Sequence, residues 1–166
     1  MQSRMPNFGE LAPDGYQAMF ALEAFLRRSG LPSSTLHLIK LRASQINGCG
    51  FCVDMHAHDA KQEGETDERL WSVAAWREAP YYTDEERAAL ALTEAATRLA
   101  DNPDGVPDDV WNEAADHYSE KDLAALVMAI AAINAWNRIS VTVRNVAGSL
   151  RRADAEAAAP AGAATE

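Results

Sequence analysis

The segment Leu123 to Ile133 reads LAALVMAIAAI and carries no polar side chain. A helix that is apolar on every side cannot face water, so this segment must lie at the centre of a bundle or against another subunit. It is too short to span a bilayer, which needs roughly 20 residues. Ser119 is placed to cap it, and the helix is expected from about Glu120 to Trp136, continuing or kinking into Val141 to Val146. The rest of the chain must therefore supply elements that wrap a central helix. Abundant alanine, scarce β-branched runs and few glycines make those elements helical too, so the fold class is all-α.

Apolar spacing and stop signals place the surrounding helices. The first is expected from about Asp14 to Arg28, with Tyr16, Met19, Phe20, Leu22, Phe25 and Leu26 forming its stripe. Ser29-Gly30 ends it and Pro32 prevents continuation. A second helix begins after Ser33 or Ser34 and runs to Asn47-Gly48; Cys49 opens a third that lasts to about Glu63-Gly64. Asp67 is read as the cap of a short helix holding Leu70 and Trp71. Thr83 and Glu86 have capping-box spacing ahead of a helix reaching about Leu99. Pro107 is read as lying in the first turn before Val110 and Trp111. The chain of 166 residues is expected to form one domain over 1–150, and the Ala-rich tail 151–166 is expected to be disordered.

With 15 Lys plus Arg against 25 Asp plus Glu, the net charge is −10, which disfavours nucleic acid and anionic membranes as partners. The first twenty residues contain no basic stretch followed by an apolar run, so no signal peptide is expected and a cytoplasmic, reducing location is the default. There a Cys-x-x-Cys pair points to catalysis or metal binding rather than to a structural disulfide.

Both cysteines of the chain lie in SQINGCGFCVDMHAHDA, from Ser44 to Ala60. At about 100° per residue, Cys49, Cys52 and His56 share one helical face, whereas Asp54 and His58 point away from it. Free backbone N–H groups in the first turn favour a thiolate, and an imidazole nearby can act as cation or as base. Three readings follow: two packing cysteines, a zinc site using Cys49, Cys52 and His56, or thiol redox chemistry. Structural zinc takes four protein ligands, and the sequence offers no second Cys-x-x-Cys or His-x-x-x-His. In the preceding helix His37, Leu41 and Ser44 align opposite an apolar stripe of Leu36, Ile39, Ala43 and Ile46. Lys40 and Arg42 read as solvated or salt-bridged. Asn134 to Arg138 adds polar groups at the end of the apolar helix, either as local backbone partners or as pocket lining.

The segment LHLIKLRASQINGCGFCVDMHAHDA resembles the active-site segment of the AhpD-like alkylhydroperoxidases of the carboxymuconolactone decarboxylase superfamily. YQAMFALEAFLRRSGL and AAINAWNRISV extend the resemblance over nearly the whole chain apart from the tail. It implies an AhpD-like helical bundle, homo-oligomers such as trimers or hexamers, and reduction of hydroperoxides at the cysteine pair. Cys52 would then be the attacking thiolate, Cys49 the resolving thiol and His56 part of a proton relay. An external dithiol or adaptor protein would restore the dithiol, with no metal, haem or flavin. The family's relay glutamate, twelve residues before the first cysteine, is replaced by His37, which can also accept and pass a proton near neutral pH. The superfamily's lactone decarboxylases lack the cysteine pair, which steers the reading away from decarboxylation. A redox-responsive or binding protein on the same fold is the alternative from another class.

Overall fold

The computed structural model describes residues 2–151. They form α1 (Phe8–Leu11), α2 (Pro13–Arg27), α3 (Ser33–Ile46), α4 (Gly50–Gln62), α5 (Asp67–Ser72), α6 (Asp84–Thr97), α7 (Asp108–His117) and α8 (Glu120–Val143). Short 3-10 turns follow α5 and α6, and there is no strand among the described residues. The tail expectation falls on 152–166 and lies outside the described residues; Arg151, placed in the tail by composition, is helical and pairs with Asp54 at 2.5 and 2.8 Å.

α8 is the central element expected from its apolar run, packed by α2, α3, α4, α6 and α7. It runs without interruption to Val143 and is stopped by Arg144 in the left-handed region at φ 57°. Its length and mean hydropathy of 1.4 would suffice to cross a membrane, but 44% of that apolar window is buried against the other helices. The sequence-based length limit counted only Leu123 to Ile133; the polar residues beyond it continue the same helix.

α3 corrects the expectation of one apolar stripe. Leu36 and Ile39 join the α8-side core, Leu38 and Leu41 join a second cluster with Val73, Trp76 and Leu90, and Ala43 touches the cysteines. The helix is therefore buried on nearly all sides, and Leu41 and Ser44 are as enclosed as the predicted stripe.

Several helix starts also differ from expectation. Pro32, not a serine, holds the N-cap position of α3 and makes no side-chain cap bond. Thr66 rather than Asp67 caps α5, accepting from Arg69 N at 3.4 Å. Pro107 is the N-cap residue of α7 rather than lying within its first turn. The Thr83–Glu86 capping box and the Ser119 cap are present as read.

Candidate active site

Asn47 closes α3, and Gly48 turns the chain at φ 66°, a conformation that L side chains rarely adopt. Cys49 then stands one position earlier than expected: it is the N-cap of α4, and its Sγ accepts from Cys52 N at 3.4 Å. The two sulfurs are 2.7 Å apart, unlinked, and each cysteine is only 1% exposed. They pack with Ala43 and Ile133, and with the rings of Phe51 and Trp136.

Their environment separates the two thiols. The Cys49 thiol is lowered from 9.0 to about 7, first by its hydrogen bond with the Cys52 thiol, against desolvation, and further by the Cys52 N–H, Asn137 and Ser140. The Cys52 thiol is pushed upward by the same sulfur–sulfur bond, by burial and by the charge on Cys49. A negative charge on the pair is thus favoured on Cys49 over Cys52, at the residue that caps the helix, where free N–H groups favour an anion.

His56 is buried in α4, and no hydrogen bond joins it to either sulfur. Burial, then the charge of Lys40, then His37 hold it well below 6.5, at about 3, so it is a neutral imidazole at physiological pH. The imidazolium that could lower a thiol pKa is therefore absent at rest, and the base in contact with Cys52 is the Cys49 sulfur. His37 is at the opposite end of α3, with Nε2 3.2 Å from Glu63 Oε2 and Nδ1 buried without a partner. Asp54 and His58 stay outside the cluster: Asp54 accepts from Gly148 N and Arg151, and His58 pairs with Gln62. Lys40 and Arg42 are not solvated; they bind Glu23 and Glu94, each at 2.6 Å. No group of three or more His, Cys, Asp or Glu side chains converges as metal ligands among the described residues.

A family model for the carboxymuconolactone decarboxylase family matches residues 13–95, which include the cysteine segment. The uncharacterized protein YdfG of Bacillus subtilis strain 168 is 41% identical over 147 residues, 89% of this chain and 99% of that one. The chain belongs to the carboxymuconolactone decarboxylase family. Within it the protein is AhpD-like. A crystal structure of an Agrobacterium tumefaciens protein of unknown function, suggested to be an antioxidant defence protein AhpD, is 40% identical. It superposes with a TM-score of 0.82, covering 88% of this chain and 98% of that one. The debrominase Bmp8, at 21% identity and a TM-score of 0.76 over 92% of this chain and 86% of that one, shares the fold.

In this carboxymuconolactone decarboxylase family member, α8 supplies what spacing along α4 missed. Asn137 is 1% exposed, donates through Nδ2 to Ser44 Oγ at 3.0 Å, and with Ser140 lowers both thiols. Asn47 Nδ2 donates to the Asn134 and Asn137 amide oxygens, each at 2.9 Å, locking the turn before Cys49 to α8. The one sequence signal was the polar interruption Asn134 to Arg138 in an otherwise apolar helix: Asn134 and Arg138 bind local backbone carbonyls, as such residues commonly do, whereas Asn137 reaches across to Asn47 and Ser44. A cavity of about 430 Å³ lies on the outer side of α4, lined by Met55, Asp59, Leu150 and others; Phe51 belongs both to its wall and to the sulfur cluster.

Proposed function

We propose that the protein is a thiol-dependent alkyl hydroperoxide reductase working through Cys49 and Cys52. The observation that carries this reading is a buried dithiol at 2.7 Å whose thiols are driven in opposite directions, so that one proton and one charge are divided between them. Cys52 passes its proton to Cys49 and attacks a peroxide oxygen. The O–O bond breaks, the alkoxide takes up a proton to leave as the alcohol, and Cys52 becomes a sulfenic acid. The Cys49 sulfur then attacks Cys52, water leaves, and a disulfide forms. An external dithiol, free or carried on an adaptor protein, reduces it again. His56 and His37 serve the proton traffic, and we place the chain in a homo-oligomer.

Mild oxidation is expected to close an intramolecular Cys49–Cys52 disulfide, read by mass spectrometry as the loss of two hydrogens from the peptide spanning them. Disulfide-linked dimers, or stoichiometric zinc after metal-free purification, would contradict the reading. The burial of both sulfurs favours one other reading, a redox-responsive protein that oxidises once and turns over poorly. Sustained peroxide consumption with a small dithiol as reductant separates the two.

A further inference from the structure

Ala91, Glu94, Ala95 and Arg98 follow one another at three- and four-residue spacing along α6 and its C-cap, so their side chains share one stripe. That stripe, with Pro107 and Val110 at the start of α7, bounds a cavity of about 260 Å³. Ala91 and Ala95 extend only a methyl group each, which leaves the space open although the two helices pack together. With Pro107 and Val110 they give the cavity an apolar wall; Arg77 and Arg98 give it a cationic one. None of its lining residues belongs to the sulfur cluster.

The charge at this cavity is unbalanced. Glu94 receives three guanidiniums: Arg42 on Oε1 at 2.6 Å, and Arg77 and Arg98 on Oε2 at 2.5 and 3.2 Å. Three cations against one carboxylate leave two positive charges, in a chain whose net charge is −10. Asp108 and Asp109, next along α7, are exposed and do not line the cavity. Arg42 is buried, holds Glu94 through both Nε and Nη2, and reaches Gln45 through Nη1, so its role is to join α3 to α6. Arg77 and Arg98 differ: they are 59% and 44% exposed, and each meets Glu94 through Nη1. Exposed ion pairs contribute little to stability, and two guanidiniums on one oxygen repel each other. The Trp76 ring, its centroid 4.2 Å from the Arg77 guanidinium carbon, fixes one of them in place.

We propose that this cavity is a binding site for a small organic carboxylate: Arg77 and Arg98 receive the anion, and its apolar body lies against Ala91, Ala95 and Val110. A guanidinium has five N–H donors in a planar fork that matches a carboxylate, and the contacts to Glu94 leave donors of both arginines for a second one. The incoming charge offsets the repulsion between the two cations. Holding them beforehand on Glu94 and Trp76 lowers the ordering cost of binding. The volume selects a small acid, since sites for drug-sized ligands begin at roughly 300 Å³. The apolar wall selects an acid with a hydrocarbon body over a bare inorganic anion. The site is separate from the dithiol, and the proposal stands whether or not the protein reduces peroxides.

The test is calorimetric titration of the full-length, reduced protein with benzoate and octanoate, and with benzamide and inorganic phosphate as comparisons. At least one of the two carboxylates is expected to bind saturably with a Kd at or below about 1 mM. Benzamide, which keeps the ring and lacks the charge, and phosphate, which keeps the charge and lacks the body, should each bind at least tenfold more weakly. Arg77→Gln and Arg98→Gln should each weaken the carboxylate about tenfold, the loss of a charge-assisted contact. Ala95→Leu, which fills the apolar side and leaves every charge in place, should weaken it as much. Weaker binding of both carboxylates than that limit would overturn the proposal, as would affinity unchanged in the arginine variants or equalled by phosphate. Should a variant lose its fold by circular dichroism, the benzamide and phosphate comparisons on the wild type decide alone. No readout involves the cysteines or peroxide, so failure here leaves the dithiol reading untouched.

Discussion

At the residue scale, the chemistry turns on a charge that one sulfur holds and the other uses. Cys49 is the sulfur whose thiol is lowered, first by its hydrogen bond with the Cys52 thiol and further by the Cys52 N–H it accepts from as the cap of α4, while the same contact and burial raise Cys52. With Cys49 removed, Cys52 loses its contacting base and its resolving partner. Cys49→Ser should therefore react more slowly, consume one peroxide equivalent and accumulate a sulfenic acid that dimedone traps at Cys52. Cys52→Ser should lose the fast reaction; if it keeps it, with the sulfenic acid on Cys49, the roles are reversed. Asn137 lowers both thiols, so Asn137→Ala should move the thiolate absorbance at 240 nm to higher pH. A shift to lower pH would show that the amide does not stabilise the thiolate. His56→Ala should slow the first oxidation step at neutral pH, measured under single-turnover conditions, because the proton transfer proposed for the imidazole is lost.

At the scale of elements, the helices depend on caps and on one buried carboxylate. Thr83 Oγ1 accepts from Glu86 N at 3.3 Å and Glu86 returns the contact to Thr83 N at 3.0 Å. Thr83→Ala should cost about 1 kcal/mol in denaturant unfolding. Glu94 joins α6 to Arg42 of α3 and also binds Trp76, Arg77 and Arg98. Desolvation raises its carboxyl, but Arg77, Trp76 and Arg42 outweigh that and hold it at about 2 against an ordinary 4.5. A depressed carboxyl stabilises the fold above its unfolded value and loses that contribution as pH falls from about 4.5 towards 2. The stability gap between wild type and Glu94→Gln, measured by denaturation, should therefore narrow over that window; a constant gap would contradict the assignment. The helices and the Cys49–Cys52 contact were legible because apolar period, capping pairs and Cys-x-x-Cys spacing are local properties of the chain. Pro32, Thr66 and the all-round burial of α3 were not, since caps shift by one residue with backbone angle and burial depends on what packs from elsewhere. The same limit hid Ser140 and Glu23 at the site and left Asn137 as only one of several polar residues ending an apolar helix: each reaches the site from a helix distant in sequence.

At the scale of the whole molecule, α8 is central yet leaves Val127, Met128 and Val141 exposed, and the neighbouring α2 exposes Phe20 and Phe25. In the homo-oligomer we propose, these exposed apolar side chains would be the ones a second copy of the chain covers. Light scattering at micromolar concentration should give several times the 18.0 kDa of one chain; a clean monomer would remove this argument. Access belongs to this scale too, because both sulfurs are enclosed and the proposed peroxide substrate would have to pass the surrounding helices to reach them. The most direct test is stopped-flow oxidation of the reduced protein by a panel of alkyl hydroperoxides. The dithiol account predicts oxidation well above the rate of free cysteine, ending in the Cys49–Cys52 disulfide; rates no faster than free cysteine across the panel would contradict it.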